Sequence, residues 1–165
     1  MFILLNMSVF VKSSPALKPR TANSTKIALL YAVILVIFAV TQLFTFEEFL
    51  VYIQSVNLPF GESLNDAFAP ILITAEVLAL PFLLRMRLSL AFRYLSLGLG
   101  CVAAALWIVL SSWIVLSGVS IDSVGFLGTL VILVPGWWAV SISLSLGILA
   151  AWSAWGLWPG KRAAG

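Results

Sequence analysis

The chain has 165 residues, 62% of them hydrophobic and 9% charged, with a net charge of +3 and a mean hydropathy of +1.15. A soluble domain carries about 25% charged residues, so the bilayer must be the solvent for most of this chain, and too little remains outside it for a separate catalytic domain. The basic residues form short clusters beside apolar runs, which suits headgroups and helix orientation rather than nucleic acid. The absence of histidine and the presence of one cysteine, Cys101, exclude haem ligation by His, the commonest metal sites and an intramolecular disulfide.

In chain order, Met1–Val11 is apolar but too short to span, and it lacks the flanks of a signal peptide. Met7 is an alternative start. Residues 12–25, rich in Ser, Pro, Lys and Thr, complete a flexible cytoplasmic tail over 1–26. The first span is expected over about 27–46, with Asn23 and Ser24 as caps. In the following segment, Phe46, Phe49, Leu50 and Ile53 recur at helical spacing, with Glu47, Glu48 and Gln54 on other faces. That pattern predicts an amphipathic segment, either continuing the first helix or lying in the interface, ended by Pro59 and Gly61.

The second span is expected over 68–84, capped by Asp66, with Pro70 in its first turn and a bend at Pro81. The third is expected over 94–117 and carries Ser96, Gly100 and Ala104 at four-residue spacing; the fourth, over 128–152, carries Ser143, Gly147 and Ala151 likewise. Small residues so spaced let helices approach closely, and Cys101 reads as another small packing residue. Pro135-Gly136 predicts a kink within the fourth span. Trp152, Trp155 and Trp158 ahead of Lys161 and Arg162 read as an interfacial aromatic belt with a positive anchor, and 154–165 as a cytoplasmic tail.

Lys12, Lys18, Arg20 and Lys26 precede the first span, Arg85, Arg87 and Arg93 lie between the second and third, and Lys161 and Arg162 follow the fourth. The other two loops hold Glu47, Glu48, Glu62, Asp66 and Asp122 and no Lys or Arg. Basic residues stay on the cytoplasmic side. The expected fold is therefore an all-α membrane protein, a bundle of four transmembrane helices within a 27–153 domain, with both termini cytoplasmic. In a prokaryote this would be the inner membrane.

Glu76, in the middle of the second span, breaks the hydropathy rule. A carboxylate at that depth costs about 2.5–3.5 kcal/mol on insertion scales. Protonation relieves that cost, as does facing the bundle interior beside polar partners, for which Thr41, Gln42, Ser111 and Ser112 are the candidates. Glu76 would then act either as a proton relay or quinone-headgroup ligand, or as a polar latch fixing helix register.

The order Phe49, Leu58, Pro59, Pro70, Glu76, within FEEFLVYIQSVNLP and AFAPILITAEVLALPFLLR, resembles the DoxX-like and methylamine-utilisation MauE-type family of small four-helix membrane proteins. The segment GVSIDSVGFLG before the Trp-containing fourth span also resembles the MauE-type third loop. The chain departs from that pattern at Gln42, where many relatives carry Lys, and at Ser123–Gly128, where many carry a Cys-x-Cys-Phe-Gly element. The resemblance implies a compact bundle associated with redox or protein-maturation systems, and the missing cysteines argue against thiol-based electron transfer. The first expectation for function is thus a non-catalytic accessory, anchor or maturation factor for a membrane-associated or periplasmic redox system, with a membrane or periplasmic protein partner or a second copy. The alternatives are a quinone-interacting oxidoreductase subunit with Glu76 at the headgroup and, last, a small oligomeric transporter. No metal and no cofactor other than a quinone is expected.

Overall fold

The computed structural model describes residues 19–59, 61–118, 121, 123–131 and 133–158. The expected N-terminal tail up to residue 18, Asp122 and the end of the C-terminal tail from residue 159 lie outside the described residues. Among the described residues there are five helices: α1 (Ala22–Phe44), α2 (Phe46–Val56), α3 (Glu62–Leu83), α4 (Leu90–Ser117) and α5 (Trp137–Gly156). All but α2 are long and apolar enough to cross a membrane. The helix α3, with 22 residues, rises about 33 Å, which matches a hydrocarbon core of about 30 Å.

The long helices pack together, α1 and α4 each touching both α3 and α5, while α2 lies against α3 and the end of α1. Each long helix buries a stripe recurring every three or four residues, such as Ala28, Tyr31, Ala32, Leu35, Phe38, Ala39 and Gln42 on α1. The opposite faces are apolar too: Leu29, Val33, Ile37, Leu95, Val102, Val109, Leu144 and Ile148 are all exposed. Helices that are hydrophobic all round fit a multi-pass membrane protein, because exposed apolar surface of this extent has no favourable contact with water.

Contacts between helix ends bring Arg20 to the aromatic residues at one end. Arg20 donates its backbone N–H to the Gly156 carbonyl at 3.0 Å, and its guanidinium lies 5.2 Å from the Trp155 ring centre. The Tyr94 and Trp158 rings meet edge to face at 6.2 Å. The start of α1, the start of α4 and the end of α5 are thus neighbours. Gly156 permits the closest approach, since a Cβ there would run into the Ser24 side chain.

Several local expectations are corrected. Thr21, not Asn23 or Ser24, caps α1, accepting the Ser24 N–H at 3.2 Å. Of the two readings of the segment after α1, the short helix of its own is the one formed, α2, burying Phe49, Ile53 and Val56; its end is corrected, since it closes on Asn57 in the left-handed conformation, ahead of Pro59. Helix α3 starts at Glu62 behind Gly61, so Asp66 and Pro70 are interior residues rather than cap and first turn. Asp66 instead accepts from Gln54 Nε2 at 2.9 Å, tying α2 to α3.

The largest difference concerns the fourth span, which begins at Trp137 instead of Gly128. Pro135-Gly136 does not kink the helix but precedes it. Proline disfavours helical backbone at the residue before it, and Trp138 folds back to donate its indole N–H to the Val134 carbonyl at 2.9 Å. The small ridge on α4 is buried as expected at Ser96, Gly100 and Ala104. On α5 only Ser143 of its ridge is fully buried, and Ala151 is exposed. Four residues overshoot the 3.6-residue turn, so the buried stripe moves to Leu146, Ala150 and Ser153. Cys101 lies on the exposed side of α4, not in the packed seam.

Candidate functional site

Glu76 occupies a core position of the α3 stripe that runs through Phe68, Leu72, Ala79 and Phe82, and it is 0% exposed. Trp107 holds the corresponding place on α4 and Gln42 on α1, both also 0% exposed. Trp107 donates its indole N–H to Glu76 Oε1 at 2.7 Å. Helical phase brings these side chains together; no loop is needed to present them.

Of the four expected partners, the structure brings one to the carboxyl. The Gln42 amide faces Glu76, while its Nε2 donates to the Phe126 carbonyl at 3.5 Å. Thr41, one residue round the helix, donates back to the Ile37 and Phe38 carbonyls at 2.9 Å. Ser111 reaches the Trp107 carbonyl at 2.8 Å and Ser143 Oγ at 2.9 Å, joining α4 to α5 one turn from the carboxyl. Ser112 lies half-buried beside that stripe. Two buried acceptors of the group, Glu76 Oε2 and Gln42 Oε1, have no hydrogen-bond partner.

Trp107 is the residue that sequence reading missed. The signal was present: tryptophans of membrane helices gather at the interfaces, whereas Trp107 lies in mid-helix, where its N–H needs a buried acceptor. Phe126, whose carbonyl accepts from Gln42, was also missed. Its ring packs 4.6 Å from Trp107 and 5.5 Å from Phe38, closing the site from the α4–α5 connection.

Residues 123–131 and 133–136 of that connection lie at the α2 end. Val124 donates to the Leu133 carbonyl at 2.9 Å, and Ser123 Oγ accepts from Leu133 N–H at 3.2 Å, folding the segment back on itself. Thr129 N–H donates to Thr45 Oγ1 at 3.2 Å, and the Thr129 hydroxyl donates to Glu48 on α2. Gly128, at φ +58°, lies so close to Thr41, Gln42 and Thr45 that a side chain would not fit. Gly125, at φ +78°, lies against the Tyr52 ring, with room for a Cβ only 2.6 Å from Cε1. Burial pushes the Tyr52 phenol above its ordinary range, and its oxygen has no partner.

Of the residues that carry the family resemblance, Phe49 and Leu58 are buried, Pro59 follows α2, and Pro70 is exposed on α3. Among the described residues, no group of three or more His, Cys, Asp or Glu could hold a metal ion. No protein-family model, curated protein or solved structure matches the chain.

Proposed function

We propose that this chain is a four-span bundle with both termini in the cytoplasm, and a non-catalytic accessory, anchor or maturation factor of DoxX/MauE type serving a membrane-associated or periplasmic redox system. The observation that carries the non-catalytic reading is the closure of Glu76. This mid-span acid is 0% exposed and bonded by Trp107, on whose ring Phe126 packs, which is the environment of a latch. The segregation of basic residues to one end supports the orientation, and the Phe49, Leu58, Pro59, Pro70, Glu76 pattern supports the redox association. The expected partner is a membrane or periplasmic protein reached from the α2 end. Extraction in mild detergent should recover the protein with a defined partner; a strictly monomeric protein that never brings one down would overturn this reading.

One observation favours a second reading, a quinone-interacting subunit. Glu76 Oε2 lacks a partner and could take a hydrogen bond from a reduced headgroup once Phe126 moves aside. Glu76→Gln at unchanged expression decides between the two: unaltered quinone-dependent electron flow excludes the headgroup role, and loss of that flow in a stable variant supports it.

A further inference from the structure

The chain carries no charged residue from Ser123 to Trp158, yet α5 begins only at Trp137. The residues just ahead of it are irregular in backbone and apolar at the surface: Leu130 is 58% exposed, Val134 70% and Trp137 69%. Facing water, such a patch has no favourable contact. We propose that residues 127–131 and 133–136 sit in the bilayer instead, as a non-helical anchor whose exposed side chains lie among the acyl chains of the leaflet at the α2 end.

Contacts at the two ends of the bundle set its depth. Arg20 and Gly156 are joined through their backbones, where Arg20 also meets Trp155, and mark one boundary of the membrane. Thr41 lies 19 residues beyond Ala22 on α1, and Trp137 lies 19 residues before Gly156 on α5. Each interval is about 29 Å of helix rise, close to a hydrocarbon thickness of about 30 Å. Gly128 lies against Thr41 and Gln42, and Thr129 N–H donates to Thr45 Oγ1. These contacts hold the connection at the far boundary, level with the first turn of α5.

Irregular backbone at membrane depth needs partners within the protein. Gly128 N–H donates to the Gly125 carbonyl at 3.1 Å, Leu130 N–H to the Leu127 carbonyl at 3.3 Å and Leu133 N–H to Ser123 Oγ at 3.2 Å. The Ser123 hydroxyl donates in turn to the Val131 carbonyl at 3.2 Å, and Pro135 has no N–H to satisfy. Lipid is the occupant because the patch continues the outer side of α5, where Leu144 and Ile148 are exposed. Trp137 and Trp138 at the head of α5 suit the interfacial level. The anchor is independent of which end is cytoplasmic and of which partner the protein serves.

A fluorophore on Val134→Cys in a Cys101→Ser chain tests it, in phosphatidylcholine nanodiscs that leave both membrane faces open to solution. Iodide should quench it several-fold less than the same fluorophore on Glu47→Cys. Phosphatidylcholine bearing a nitroxide high on its acyl chain should quench it strongly. Iodide quenching equal to that at Glu47→Cys overturns the proposal by placing the segment in water. Protection from both quenchers overturns it too, by showing that protein, such as a second copy, covers the patch. Should Val134→Cys fail to fold, Leu130→Cys carries the same comparison with the same outcomes.

Discussion

Two tyrosines show how far the worth of a buried hydroxyl depends on its partner. Tyr31 donates to the Gly100 carbonyl at 2.7 Å and bridges α1 to α4, whereas the Tyr52 oxygen is buried without a bond. Removing a satisfied hydroxyl loses about 1 kcal/mol, while removing an orphan costs little and can stabilise. Tyr31→Phe should therefore lower the thermal unfolding midpoint in detergent, and Tyr52→Phe should leave it unchanged or raise it. The Tyr52 phenol ionises later in the fold than at its ordinary value of 10.0, because burial disfavours the phenolate. A group raised in this way supports the fold fully below its unfolded-state value, and its support is lost as pH rises beyond it. Wild-type stability should thus fall on alkaline titration more steeply than that of Tyr52→Phe; identical profiles would show that Tyr52 contributes nothing to the alkaline limb.

At the scale of the helix, Pro81 and Ser96 act as a pair. Proline has no N–H and interrupts the ladder of α3. Ser96 on α4 spans the break, accepting from Phe82 N–H at 3.1 Å and donating to the Leu78 carbonyl at 2.6 Å. Backbone groups inside a membrane have no water to fall back on. Ser96→Ala should cost about 1–3 kcal/mol by leaving Phe82 N–H unsatisfied. In a Pro81→Ala background the ordinary ladder can close, so the same serine substitution should cost distinctly less. A double-mutant cycle on unfolding midpoints measures the coupling, and strict additivity would rule out the repair. The α4–α5 connection carries a parallel prediction: Gly128→Ala should loosen it, because φ +58° is strained for alanine and its Cβ would strike Thr45. Faster amide exchange at Val124 and Thr129, with α3 unaffected, is the expected readout.

For the whole molecule, the ends of the helices decide topology. Arg20, Tyr94, Trp155 and Trp158 meet at one end, and Glu48, Thr129, Gln54 and Asp66 meet at the other. With basic residues held inside, a cysteine placed at Arg20 or Trp158 in a Cys101→Ser chain should react with an impermeant thiol reagent only after the membrane is opened. One placed at Glu47 should react in intact cells. The reverse pattern would invert the orientation, and labelling of Arg20 and Trp158 from opposite sides would break the even span count.

Hydropathy and charge alone determined the four apolar helices and the acid that interrupts them, because lipid as solvent demands long apolar runs and leaves charges at their ends. The structure separates Gln42 from Thr41, which the sequence offered alike: only Gln42 continues the buried stripe of Leu35 and Phe38. Hydropathy could not distinguish Gly128–Gly136 from a span. Leu130, Val131 and Val134 are exposed apolar residues ahead of the helix, and a proline that disfavours helical backbone before it is not registered by a hydropathy average. Only the tertiary structure decided that Glu76 meets Trp107 rather than Ser111 or Ser112. Which side chain reaches a buried carboxyl depends on how far one helix slides along its neighbour, and that offset is set by packing across the seam, such as Gly100 against Ala79 and Tyr31, not by the residues of either helix alone.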